Sequence, residues 1–245
     1  MKDYNNQIEN MDNNGIDGNE TYIVELDENP DMGLHEKMNP WLSMWTKPRK
    51  TMRYIINDNP RKYIIPLAMI YGILTALDKA TIKSMGDTFS LWSILLIAII
   101  GGSIGGICYV YLNALLLQWT GKWIGAKGSM EHIRAAITWG SIPYIVVSIL
   151  WIPELILYGE EMFTTATPRM ESSIALSMLL MVLGVIEFIA GVWGTITGLK
   201  CLGEVQGFSA WKALGNCLLA GLVILVPIII IIIIISLIFI GVASI

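Results

Sequence analysis

The sequence predicts an all-α fold: an integral membrane bundle of five transmembrane helices, with amphipathic helices lying in the interface. Three observations carry this. Of 245 residues, 54% are hydrophobic and only 15% charged, too little charge to coat a soluble domain of this size. Apolar runs near the roughly 20 residues that a membrane helix needs recur five times. The charge is also segregated. Net charge is −4, yet residues 1–40 hold Asp3, Glu9, Asp12, Asp17, Glu20, Glu25, Asp27, Glu28, Asp31 and Glu36 against only Lys2 and Lys37. An acidic tail, residues 1–38, predicted to be disordered, thus precedes a membrane domain over 39–245.

The spans are expected at about 63–82, 91–117, 135–158, 173–199 and 217–241. The first is the weakest, because Asp78 and Lys79 are expected to snorkel to an interface. The second has no charge. The third holds Pro143, Pro153 and Glu154, and its prolines predict a kink that frees backbone carbonyls. The fourth holds Glu187. The fifth includes eight consecutive isoleucines, 228–235; isoleucine is a mediocre helix former in water, but a lipid-exposed backbone must bond to itself. No apolar core occupies the first twenty residues, so no signal peptide is read there.

Orientation follows from the cations. With the N-terminus in the cytoplasm, the inner side collects Lys47, Arg49, Lys50, Arg53, Arg61, Lys62, Lys122, Lys127, Arg134, Lys200 and Lys212. The outer side then has Lys79, Lys83 and Arg169. The expectation is a multi-pass cell-membrane protein with a cytoplasmic N-terminus and an extracytoplasmic C-terminus.

Before the first span stands NPWLSMWTKPRKTMRYIINDNP, residues 39–60. Trp41, Trp45, Pro48, Met52 and Ile55/Ile56 recur at three- and four-residue steps, one face of a helix or of two short helical turns. Thr46 is positioned to cap and Pro48 suits a first turn. Lys47, Arg49, Lys50 and Arg53 fall mostly on other faces, the pattern of a helix at headgroup depth with each cation worth about 1 kcal/mol near an anionic leaflet. The plainer alternative is a juxtamembrane linker whose charges set topology. Ser129 and Ser209 are expected to cap helices leading into spans three and five.

Inside the bilayer, GGSIGG gives two overlapping GxxxG pairs, Gly101 with Gly105 and Gly102 with Gly106. Ala190, Gly194 and Gly198 form a like stripe on span four. Such stripes let helices approach closely; they predict that spans two and four pack together, or alternatively a homodimer face. Glu187, near mid-bilayer, costs on the order of 3 kcal/mol on insertion scales. It reads either as a buried hydrogen bond fixing helix rotation or as a functional polar site, alone among intramembrane charges. Glu154 is placed nearer the outer interface and water, and Asn113 nearer the inner surface. Cys108 and Cys217 read as packing residues, with acylation the lesser alternative to packing at Cys201.

Enzyme signatures fail. HExxH, GxSxG and GxxxxGK[ST] are missing, and His35 and His132 stand isolated. Glu160-Glu161 invites comparison with glutamate-type intramembrane peptidases, which need an arginine where Thr165 stands. The tail's DNNGIDGNE matches a calcium loop in composition only. No enzyme, cofactor, metal or nucleic-acid partner is expected, and no small-molecule substrate is identified.

With five spans and an inner N-terminus assembled, the chain resembles the Yip-domain family, on NPWLSMWTKPRKTMRYI, KGSMEHIRAAITWGSIP and VQGFSAWKAL. The resemblance implies the bacterial branch of Ypt/Rab-interacting-type five-span membrane proteins. It implies a non-enzymatic protein whose cytoplasmic tail and loops meet partners or a second copy. The residues leave one alternative open, a small transporter or channel using Glu187.

Overall fold

The computed structural model describes residues 38–243, with side chains to Ser236. The acidic tail, its calcium-loop comparison and its predicted disorder lie outside the described residues. Those described form an all-helical body without strands. Five helices are long and apolar enough to cross a membrane: Ile64–Ile82, Leu91–Trp123, Met130–Phe163, Ile174–Gln206 and Ala210–Ser236. They are called spans one to five below.

Two short helices precede them, α1 (Pro40–Ser43) and α2 (Pro48–Asp58). Asn39 caps α1, accepting the Trp41 N–H at 3.1 Å. Thr46 caps nothing: Lys47 precedes α2 without a side-chain cap, and Pro48 occupies the first turn. The Thr51 hydroxyl joins the two helices by donating to Ser43 Oγ or the Lys47 carbonyl, both at 2.9 Å. Pro48, Thr51, Met52 and Ile55 are the buried stripe of α2. They pack on spans three and four, so the apolar face expected to meet lipid meets protein.

The span helices outrun their apolar cores at this end of the bundle. WTGKW continues span two, MEHIR begins span three and KCLGEVQ ends span four. Apolar length sets the minimum of a membrane helix; caps set its end. Gly125 and Gly207 take positive φ, 84° and 78°, the conformation glycine adopts most cheaply after a helix. Ser129 Oγ accepts the His132 N–H and Ser209 Oγ the Lys212 N–H, each at 3.2 Å, as the sequence predicts.

Span two contains a π turn at Ala98–Gly102. One extra residue in a turn rotates all that follows. Gly102 and Gly106 thereby face Gly72 of span one. A Cβ on Gly72 would lie 2.1 Å from the Gly102 carbonyl oxygen, and one on Gly106 2.1 Å from that of Ala68. The expected pairing of spans two and four is therefore corrected: span one takes that place. Gly101 and Gly105 face the exposed side, with nothing within 4 Å of an added Cβ at Gly105. On span four, Gly194 sits by Tyr144 of span three, and Gly198 meets Gly140, whose added Cβ would lie 2.8 Å from the Gly198 Cα.

Span three breaks at its prolines into Met130–Gly140, Ile142–Val147, a short 3-10 turn and Trp151–Tyr158. Ser141 and Ser148 donate to the carbonyls of Thr138 (2.7 Å) and Tyr144 (2.8 Å), the local satisfaction that a broken membrane helix requires.

The loops at the other end hold one another. Asp87 accepts the Thr165 N–H at 2.9 Å and also its hydroxyl. Glu161 accepts the Arg169 and Met170 N–H groups at 2.9 and 3.1 Å. The two Thr165 hydrogen bonds keep the Asp87 carboxyl below its ordinary value. A depressed folded-state pKa stabilises fully above the unfolded value of about 4 and is lost as pH falls through the folded one. Asp87→Asn is therefore expected to lower the thermal midpoint of the detergent-solubilised protein at neutral pH. The difference should narrow steadily as pH falls below the ordinary carboxylate value of about 4; a gap independent of pH refutes the account.

Candidate functional site

Two polar regions interrupt the apolar body. The first lies inside the spans. Asp78 of span one accepts a hydrogen bond from the Tyr144 hydroxyl of span three. It therefore stays half-buried in the bundle and does not snorkel outward. Asp78, Tyr144, Ser148, Trp151 and Glu187 line a cavity of about 150 Å³. Glu187 Oε1 is buried there without a hydrogen-bond partner. Glu154 of span three is only 3% exposed. Two expectations are thus corrected. Glu187 is not the lone central carboxylate, and Glu154 is buried away from water. The break at the 3-10 turn Ser148–Leu150 is followed by the short helix Trp151–Tyr158, on which Glu154 is buried against the bundle.

Beside this cluster a larger cavity, about 490 Å³, separates spans two and four. Tyr109 and Asn113 line one wall, Gly191, Gly194 and Gly198 the other, and Asp78 and Tyr144 one end. The glycines of span four thus border open space as well as span three. Asn113 faces this cavity.

The second region is the layer of helix ends beneath α1 and α2. Arg53 chelates Glu204 Oε1 at the end of span four, through Nε at 3.0 Å and Nη2 at 2.8 Å. Arg49 reaches Glu204 Oε2 at 3.5 Å and the Phe208 carbonyl at 3.4 Å. Two of the cations expected to meet lipid thus have a protein carboxylate. Lys47 and Lys50 are exposed. Trp41 stacks edge-on against Trp139 at 5.4 Å and Tyr63 at 6.2 Å. Trp45 takes part through its carbonyl, which accepts the Trp193 indole N–H at 3.1 Å. Arg61 forms a two-pronged pair with Glu131, at 2.8 and 3.2 Å. Cys201 is fully buried against Met44 Sδ at 3.5 Å, which leaves acylation no access.

Below it runs a buried knot that sequence reading missed. Asn216 Oδ1 accepts the Thr120 hydroxyl at 2.7 Å, and its amide donates to Leu117 O at 2.9 Å and to Gln206 Oε1 at 3.1 Å. Gln206 Nε2 donates to the same Leu117 carbonyl at 3.1 Å. Gln206, Thr120 and Asn216 are all fully buried, tying spans two, four and five. Gln206 directly before Gly207 was the available signal: an amide at a helix end, ten residues from Asn216.

These regions sit on a bundle of five apolar helices, and the fold class is that of a multi-pass membrane protein. The family model of the Yip1 domain matches residues 42–245, and the chain belongs to that family. Comparisons with curated proteins and with solved structures gave no match.

Proposed function

We propose that this Yip-family protein organises partner proteins or membrane through the layer carrying α1 and α2, and that this layer faces the cytoplasm. One observation supports the reading above others. The two helices are not a loose linker: Glu204, Trp139 and Trp193 fix them on the bundle. A fixed surface that still exposes Leu42, at 71%, and Lys47 suits recognition. The excess of Lys and Arg at this end supports the cytoplasmic assignment. The reading makes the protein a non-enzymatic organiser, with self-association among its modes.

A photo-cross-linker at Leu42 in native membranes tests this. Discrete protein adducts are expected there, and none at Ile156 of span three. Glu204→Arg, which opposes Arg49 and Arg53, should reduce the Leu42 adducts several-fold while the protein remains in the membrane. Adducts unchanged by Glu204→Arg, or equal at both sites, overturn the reading. A reporter after Ile245 should be active only outside the cytosol.

A second reading, a small transporter or channel, draws on Asp78 and Glu187 lining one cavity with Tyr144. It requires that Glu187→Gln abolish flux in proteoliposomes.

A further inference from the structure

The larger cavity has a polarity that neither functional reading uses. At about 490 Å³ it falls within the roughly 300–1,000 Å³ of small-molecule sites. Its lining on span four runs from Gly191 to Leu202. At 1.5 Å per residue, that is about 16 Å along the helix. The two ends differ chemically. One holds Asp78, the Tyr144 hydroxyl and Thr75; the other is walled by Leu117, Leu199 and Leu202.

Among the described residues, no Lys, Arg or His lines the cavity beside Asp78, which accepts a hydrogen bond from Tyr144. The neighbouring Lys79 is exposed and borders a different cleft. Three tyrosines share the cavity lining with the carboxylate instead. Tyr71 stacks on Tyr109 and meets Tyr144 edge-on, both at 5.7 Å. Ring faces attract cations, and a carboxylate outside bulk water attracts them more strongly than one in it. A phosphate or a fatty-acid carboxylate meets repulsion at the same place. The space is also kept open by sequence: an added Cβ on Gly191 meets nothing within 4 Å.

We propose that this cavity binds an amphiphile carrying one protonated amine, its ammonium against Asp78 and its hydrocarbon chain toward Leu117 and Leu202. The site shares Asp78 and Tyr144 with the transporter reading but does not rest on either functional reading. It neither needs α1 and α2 as a docking layer nor any movement of a solute across the membrane.

The test uses the full-length protein in nanodiscs and three probes of equal chain length: dodecylamine, dodecanol and dodecanoic acid. Binding is read by native mass spectrometry and by the thermal midpoint. Dodecylamine should bind about tenfold more tightly than dodecanol, and dodecanoic acid more weakly than either. Asp78→Asn keeps an acceptor for Tyr144 and should bring amine and alcohol within about twofold of each other. Gly191→Leu fills the cavity from an open position and should weaken amine and alcohol together. Equal binding of all three probes, absence of dodecylamine binding, or a preference for amine that survives Asp78→Asn overturns the proposal.

Discussion

Gly106→Leu is expected to remove most of the folded protein from the membrane, whereas Gly105→Leu one residue earlier leaves it nearly unchanged. A Cβ on Gly106 would lie 2.1 Å from the Ala68 carbonyl oxygen and 2.8 Å from the Gly72 Cα. Both are backbone atoms, which no rotamer change can move. Spans one and two would have to separate, giving up the close packing that holds helices together in lipid, where apolar burial contributes nothing extra. Overpacking of a side-chain core costs about 1–3 kcal/mol, and a backbone clash exceeds it. At Gly105 an added Cβ meets nothing within 4 Å. Protein level and the thermal midpoint in detergent measure both variants. Equal loss in the two refutes the assignment of the packed face, and loss confined to Gly105→Leu indicates that the outward stripe joins two copies.

Asn216→Leu should be the most damaging single change among the buried polar side chains. It strips the amide from a knot in which Thr120, Gln206 and Leu117 O all use it. Each buried group left without a partner costs about 1–3 kcal/mol, and both Thr120 and Gln206 are fully buried. Without Asn216 the Thr120 hydroxyl turns its proton to Leu116 O at 2.9 Å, and Gln206 keeps its bond to Leu117 O. The expected loss is therefore about 2–4 kcal/mol, not the sum over all bonds. Asn216→Leu combined with Gln206→Leu should cost less than the two single effects added, because the pair shares one network. Denaturant unfolding in mixed micelles measures the cycle; additive effects would show that the knot is not a unit.

The Ser129 and Ser209 caps were legible because a cap acts over three residues and needs only its own helix, whereas Thr46, expected to cap, does not. The span count was legible because lipid demands length and apolarity. Asp78 was misplaced because its position along span one leaves it one turn from the helix end, where escape to water looks easier. Tyr144, sixty-six residues away, supplies an alternative that no local rule contains. Arg49 and Arg53 were read as lipid contacts because Glu204 is more remote still in sequence. The partner of the GGSIGG stripe was in principle visible in Ala68, Gly72 and Ala76, small residues at the same four-residue step in the weakest span.

The sequence alone determined five apolar helices, the Ser129 and Ser209 caps, the broken third span and the segregation of charge. It did not determine which helices touch. In lipid a helix is apolar on every side, so hydropathy carries no rotational phase, and spans one, two, four and five leave little polarity to choose a face. The tertiary structure made that choice, through a π turn that re-aims Gly102 and Gly106 and through prolines that bring Tyr144 to Asp78. Spans two and four were thereby left apart, with the cavity between them.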